Sequence, residues 1–580
     1  MSSTSKLHQF GVLGGKRVLV FALVVTALAY LATLRFEFVY DDDAQIVLNN
    51  SLVAWKNLPS LFLGHSWKFL LPDWGGNYYR PVFMSWLLAN RVLFGLNPLP
   101  WHATTLLLHL VATMMAFVVA KQLLRDDTRA GFVALLFGLH PIHVESVAWI
   151  SGLTDSLMAV FIFAAFWAWI KGDQQPERRA LYQVLSVVFY ATACLSKETA
   201  ILLPVVVIAY ECLFGDDERS WKKVVSATLR AWPLWITAAT YLVTRSFMLR
   251  GLAHPLGRPL SHDLLTVPTI LWGYMRRMIW PVNMSVFYDT PPVTSLLQWR
   301  FWLPMVAWIL TAIIGWRLAK RSRIVGFSLI WIFVFLSPAI LGLPVFPLGE
   351  WIHDRYLYLP VFGFCVLLVY AISQLPSERE LFGMPAVPTA VVLLLAAMMA
   401  LGTSWEEQYW SSGYVLFRHG EAMHSNSALN KVHFATELFR RGEVAKSQAL
   451  YEDALRMDPT DWKHNVAYGL MLYYSGQFEK ADRQFEKAIA LDPTDANPHF
   501  YQGMSRFQLG DFSGAQNAFQ QTIKASPGRS RYHFWLGFAL EKQGKFDEAR
   551  AQYEEELREH PDTDTEAKER LEGLPIRKPS

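Results

Sequence analysis

The sequence predicts an all-α protein of two unlike parts: a polytopic membrane helix bundle of about 11 spans, then a soluble repeat α-solenoid. Three observations carry this reading. Apolar runs near 20 residues, the length a helix needs to cross a hydrocarbon core, recur through the first four hundred positions. A 34-residue period then takes over. The charge changes sign at the same place, from +9 over residues 1–403 to −5 over 404–580. With 53% hydrophobic and only 18% charged residues in a chain of 580, an ordinary soluble enzyme and a disordered chain are both poor fits. Cys194, Cys212 and Cys365 each lie in apolar sequence, so no disulfide framework is expected. No basic face or nucleic-acid motif stands out, which argues against a nucleic-acid partner.

The spans fall near 17–35, 102–121, 130–149, 152–170, 181–196, 199–214, 231–249, 301–319, 324–343, 355–373 and 385–402. Ser196-Lys197-Glu198 divides an apolar stretch too long for one crossing. Segment 265–282 carries Arg276 and Arg277 and reads as interfacial or re-entrant. Basic residues mark alternate loops as cytoplasmic: Lys6, Lys16 and Arg17; Lys121, Arg125 and Arg129; Lys171, Arg178 and Arg179; Arg219, Lys222, Lys223 and Arg230; Arg317, Lys320, Arg321 and Arg323. Loops 36–101 and 250–300 then face the periplasm or a lumen. An odd number of crossings puts the C-terminal part on that side too. The first span reads as an uncleaved anchor.

After a linker or first helix at 404–427, the period is explicit over 428–563, with a tail at 564–580. Prolines recur at 459, 493, 527 and 561, and glycines at 442, 476, 510 and 544. Aromatics recur at Tyr451, Phe485, Phe519 and Tyr553, and small residues at Ala435, Gly469, Gly503 and Gly537. This is the tetratricopeptide pattern: two helices per unit, a glycine in the turn and a proline after the second helix. Four units form a short superhelix whose concave side suits a peptide or protein, or serves only as a spacer.

Candidate chemistry clusters at the non-cytoplasmic surface. Phe38-Val39-Tyr40-Asp41-Asp42-Asp43 leaves the first span. A carboxylate there suits a general base or a metal ligand, or simply marks a solvated helix end. Residues 44–81, with Trp55, Trp67, Trp74, Tyr78 and Tyr79, read as an amphipathic interfacial helix closing on Tyr79-Arg80-Pro81. His140-Pro141-Ile142-His143-Val144-Glu145, followed by Ser151 to Asp155, suits a metal site, a polar cavity lining or packing. Lys197 and Glu198 either pair with each other or meet a lipid phosphate. In Trp351-Ile352-His353-Asp354-Arg355-Tyr356-Leu357-Tyr358-Leu359-Pro360, the Arg355 fork suits a phosphate or snorkels to headgroups. No phosphate loop, nucleophile elbow or cofactor fingerprint stands out, which disfavours soluble nucleotide chemistry. A sugar donor on that side would be carried on lipid.

These motifs together resemble the transmembrane O-mannosyltransferases with tetratricopeptide repeats, within the C-type membrane glycosyltransferases. The matching stretches are Phe38 to Asp42, Tyr79 to Pro81, His140 to Glu145, Lys197-Glu198 and Arg355 to Pro360. The resemblance implies a polyprenyl-phosphate sugar donor and inverting transfer to a Ser or Thr hydroxyl of a protein. It makes Asp41 the candidate base, with Asp42 as support or metal ligand. Arg80, Lys197 and Arg355 become donor-phosphate ligands. Tyr79, His140, His143, Glu145, Asp155, His353 and Tyr356 would line the substrate cavity. A divalent cation, if the site takes one, would draw on Asp41, Asp42, His143 and Glu145. Membrane lipid and a protein or peptide acceptor held by the repeats are the implied partners. Four repeats and a third aspartate, Asp43, depart from the eukaryotic pattern. That compactness points to a bacterial inner membrane with periplasmic repeats, and an undecaprenyl-phosphate donor; a eukaryotic chain would place them in the endoplasmic reticulum lumen. Two alternatives stay open: a lipid or cell-wall glycan acceptor, and a non-enzymatic membrane-anchored scaffold.

Overall fold

The computed structural model describes residues 3–69, 77–215, 221–251, 258–347, 349–381, 384–560 and 565–575, with side chains from Lys16 onward. Trp74, Arg219, Pro561, the Lys6 side chain and the end of the 564–580 tail lie outside the described residues. The chain divides into two compact units, Met1–His419 and Gly420–Ser580. Both are helical; the only strands among the described residues are the two-residue pair Glu380–Leu381 and Met384–Pro385.

The first unit is a multi-pass membrane bundle. Among the described residues, eight helices are long and apolar enough to cross a membrane: Lys16–Arg35, Pro98–Leu124, Ile150–Gln174, Pro176–Ser196, Trp299–Arg321, Arg323–Val345, Asp354–Ile372 and Ala386–Trp410. A ninth forms if Asp127–Leu139 and Pro141–Ala148, bent by 52° at His140, count as one crossing. Pro141 supplies the break, because it has no N–H to donate and its ring clashes with the preceding turn. Nine of the eleven expected spans thus have a helix that fits. The other two do not. Segment 199–214 is a short 3-10 turn followed by a helix of only 12 residues, Leu203–Phe214. Trp232–Leu249 is helical over 18 residues, but its Trp, Thr and Arg245 content makes it less apolar. Among the described residues of 44–81, no continuous interfacial helix is present. Short 3-10 turns at Asn50–Leu52 and Trp55–Phe62 stand in the described part, the second interrupted by Pro59.

Burial follows each helix's place. Trp299–Arg321 leaves Trp302, Leu303, Val306, Leu310 and Ile314 exposed, an apolar face suited to lipid. Ile150–Gln174 sits at the centre, its Phe163 ring stacked 5.8 Å from Trp331. The Trp331 indole donates to the Leu359 carbonyl at 2.7 Å. A Cβ at Gly363 would lie 2.8 Å from the Ser328 carbonyl, so only glycine lets these two helices approach so closely.

The second unit stacks four helix pairs: Ala428–Arg440 with Val444–Met457, Trp462–Tyr474 with Phe478–Leu491, Ala496–Gln508 with Phe512–Ala525, and Tyr532–Lys542 with Phe546–Glu559. Thr565–Gly573 covers the last pair. The periodic residues explain the stack. Gly442, Gly476, Gly510 and Gly544 take φ between 74° and 80° in the turns, where a side chain would be strained. The periodic small residues receive the periodic aromatics. A Cβ on Gly469, Gly503 or Gly537 would lie 2.7, 2.6 or 2.9 Å from the ring of Phe485, Phe519 or Tyr553.

Candidate functional site

The site begins at a strained residue. Tyr40 has φ 57°, rare for a bulky side chain. Its ring holds that conformation by packing 5.3 Å from Trp149, 5.8 Å from Phe287 and 5.9 Å from Phe417. The chain turns there, and the next two carboxylates part company. Asp42 is fully buried. Its Oδ1 accepts from the Ser151 amide at 2.8 Å and the Ser151 hydroxyl at 2.6 Å, and its Oδ2 from the Val39 amide at 3.2 Å. Asp41 instead lines a cavity, and among the described residues its carboxylate accepts no hydrogen bond. Burial raises the Asp41 carboxyl to about 7, opposed by Arg355 and reinforced by Asp42 and Glu350. Burial also raises Asp42 to about 7, against the pull of its Ser151 and Val39 donors.

The cavity measures about 140 Å³. That is smaller than the roughly 300–1,000 Å³ of drug-sized ligand pockets, so it fits reacting groups rather than a whole lipid-linked donor. Asp41, Arg80, Lys197, His353, Arg355 and Tyr356 all line it. Each cation is held by its own carboxylate. Arg80 donates to Glu198 through Nε at 2.9 Å and Nη2 at 2.6 Å, and its guanidinium lies 4.4 Å from the Tyr78 ring centre. Lys197 Nζ donates to Asp155 Oδ2 at 2.6 Å, with both side chains almost wholly buried. Arg355 donates to Glu145 through its amide at 2.9 Å and through its guanidinium. Burial lowers the Lys197 ammonium, with Asp155 opposing. Burial would raise Glu198, but Arg80 and Lys197 outweigh it and hold the carboxyl at about 2. Burial keeps His353 neutral, and Arg355 and Lys197 reinforce this.

Other expected residues lie elsewhere. Lys197 and Glu198 do not pair with each other; Asp155 and Arg80 take them. Glu145 and Asp155 sit behind the cavity as counter-charges rather than in its lining. Tyr79 turns away and donates to the Phe62 carbonyl at 3.1 Å, while Tyr78 takes the lining place. His140 is committed to the fold: Nε2 meets the Met278 carbonyl at 3.0 Å and Nδ1 the Ile142 amide at 3.2 Å. His143 is buried against Tyr358 and Phe137, with ring centres 4.3 and 4.6 Å away. Asp41, Asp42, His143 and Glu145 therefore form no metal-binding cluster among the described residues, since Ser151, Arg355 and the aromatic wall hold three of them apart. Tyr40, Tyr78 and Glu350 also line the cavity; no sequence motif singled out Glu350.

Comparison with known proteins places this geometry in context. Residues 79–243 match the family described as dolichyl-phosphate-mannose-protein mannosyltransferase, and residues 434–496 and 500–563 match the tetratricopeptide repeat. The chain resembles the protein O-mannosyl-transferases. It is 25% identical to Protein O-mannosyl-transferase TMTC3 of Mus musculus over 487 residues, covering 75% of this chain and 50% of that protein. Against Protein O-mannosyl-transferase TMTC1 of Homo sapiens the identity is 26% over 486 residues, covering 75% and 54%. Identity rises to 33% over 204 residues with Tmtc1 of Drosophila melanogaster, over 35% of this chain and 23% of that one. The chain spans about half the length of the first of these relatives. The mannosyltransferase match covers Arg80, Glu198, Asp155 and Lys197 but not Asp41 or Arg355.

Proposed function

We propose that the membrane unit is a glycosyltransferase that moves a sugar, mannose in the first instance, from a polyprenyl phosphate to a Ser or Thr hydroxyl of a protein. One observation carries the proposal. A carboxylate with no hydrogen-bond partner, Asp41, faces three cations in one cavity, and each cation is fixed by a buried or half-buried counter-carboxylate. Asp41 takes the proton of the acceptor hydroxyl as its oxygen attacks the anomeric carbon. The bond from that carbon to the phosphate oxygen breaks on the opposite face, inverting the centre. The electron pair leaves with the phosphate, which gains one negative charge. Arg80, Lys197 and Arg355 stabilise that charge in place, so no general acid is required. A carboxyl near 7 is a stronger base than an ordinary aspartate and is still half-ionised at neutral pH. Asp42 holds the turn that aims Asp41.

The basic loops, with the odd count of nine spans that holds when the bent pair is one crossing, favour a cavity and repeats on the periplasmic or lumenal side, where a lipid-linked donor is available. The repeats would then present the acceptor. The test is transfer in detergent or nanodiscs from radiolabelled polyprenyl-phosphate mannose and glucose to a mixed periplasmic protein extract. Label entering protein supports the proposal and names the sugar. Label entering only lipid or glycan would favour the glycan-acceptor reading instead, and no label with either donor from folded protein would overturn both.

A further inference from the structure

We infer a second site, within the repeat unit: a zinc site at the junction between the first and second repeats, made by Asp458, Asp461 and His464. One ligand atom from each lies within 4.8 Å of the others. The three come from one short turn. Asp458 ends the helix Val444–Met457, Asp461 caps Trp462–Tyr474, and His464 stands in that helix's first turn. Each carboxylate spends only one oxygen on the turn. Asp458 Oδ1 accepts from the Thr460 amide at 3.1 Å and hydroxyl at 2.8 Å, and Asp461 Oδ1 from the Lys463 amide at 2.8 Å. Both Oδ2 atoms are left for another partner.

His464 is the independent observation. It is 2% exposed, yet neither ring nitrogen has a hydrogen-bond partner. Its Nε2 points at Asp461 Oδ2 from 3.8 Å, too far for a hydrogen bond. Ligand atoms about 2.1 Å from a tetrahedral ion stand roughly 3.4 Å apart, so a small side-chain rotation closes the set. One imidazole with two carboxylates selects a Zn²⁺-type ion over Ca²⁺ or Mg²⁺, which take oxygen ligands, and water completes the shell. The ion would tie the end of one repeat to the start of the next.

The protein carries its own control. Asp492-Pro493-Thr494-Asp495 repeats the turn one period later, with Asp492 Oδ1 again accepting from Thr494. The position equivalent to His464 is Pro498 there, the neighbouring His499 is spent on the Pro493 carbonyl at 3.1 Å, and no third ligand joins Asp492 and Asp495 among the described residues. A second acidic group, His533, Glu555 and Glu559, lies on the surface, where His533 Nδ1 already bonds Gln552 at 2.7 Å and Glu559 is exposed.

Calorimetric titration of the chelator-stripped full chain in detergent with Zn²⁺ tests the site. A saturable event is expected. His464→Gln and Asp461→Asn should each weaken it by more than about tenfold, beyond the lower end of what losing an outer-shell partner costs. Asn still caps a helix, so Asp461→Asn keeps the fold. Asp495→Asn and His533→Gln should leave the binding unchanged. No saturable event in the parent chain, one that survives His464→Gln, or one abolished by His533→Gln would overturn the assignment.

Discussion

The two units bury opposite things. The membrane unit encloses charge: Lys197 with Asp155, Glu145 with Arg355, and Asp42 among three donors. The repeat unit encloses ring against glycine, and most of its ion pairs lie at the surface, such as Lys446 with Glu443. Regular packing dominates the repeat interior, and a few buried polar groups such as Glu556, which accepts from the Arg531 and Phe534 amides, add to it. Buried ion pairs contribute little net stability for the desolvation they cost. Their concentration around one cavity therefore reads as a device for fixing cations in place.

That contrast is sharpest when one partner of a pair is removed. Lys197→Met strands the Asp155 carboxylate in the interior and should cost about 3–5 kcal/mol, read as a lower melting temperature in micelles. Adding Asp155→Leu should recover much of the loss. A single substitution costing under about 1 kcal/mol would mean the pair is hydrated and the contrast false. In the repeats, the damaging change is an added methyl. Gly503→Ala places a Cβ 2.6 Å from the Phe519 ring and should cost about 1–3 kcal/mol by overpacking. Gly442→Ala meets open space but keeps φ 80°, and should cost about 1–2 kcal/mol through backbone strain alone. At the bottom of the scale, Lys446→Ala removes a largely exposed pair and should shift stability by less than about 0.5 kcal/mol.

The repeats were fully legible in the sequence because their contacts are local and periodic. Gly469, Gly503 and Gly537 announce the rings that fill them sixteen residues later. Most spans were legible through length and apolarity. The exceptions, 199–214 and 231–249, are apolar runs shortened by a 3-10 turn or diluted by polar residues. The site was half legible. Asp41, Arg80, Lys197, His353, Arg355 and Tyr356 converge on one cavity. Their partners were not legible, because Asp155, Glu198 and Glu145 lie 42, 118 and 210 positions away in the chain and no local pattern encodes such pairing. Tyr79 and Tyr78 exchanged places because adjacent residues outside regular structure carry no facing rule. For His140 the packing alternative holds rather than cavity lining, because a histidine committed to backbone looks, in sequence, like one free to bind.

The titration of Asp41 separates function from stability within the membrane unit. Transfer requires the ionised form, so the rate should fall about tenfold per pH unit below about 7 and level off above it. Stability runs the other way. The folded carboxyl lies above its unfolded value, so its contribution is fully present below about 4 and is lost as pH rises through about 7. Asp41→Asn should therefore be at least as stable as the parent at pH 8.

The central claim is that neighbouring aspartates divide the labour: Asp41 reacts and Asp42 holds the turn. The most direct test is to measure sugar transfer and melting temperature side by side for Asp41→Asn and Asp42→Asn. The account predicts that Asp41→Asn loses about 10²–10⁴-fold in transfer with its melting temperature kept. Asp42→Asn can keep an acceptor oxygen on the Ser151 donors but turns an NH2 toward the Val39 N–H, leaving that buried donor unmatched, and should lower the melting temperature itself. Full activity in folded Asp41→Asn, or a catalytic loss confined to Asp42→Asn at unchanged stability, would contradict it.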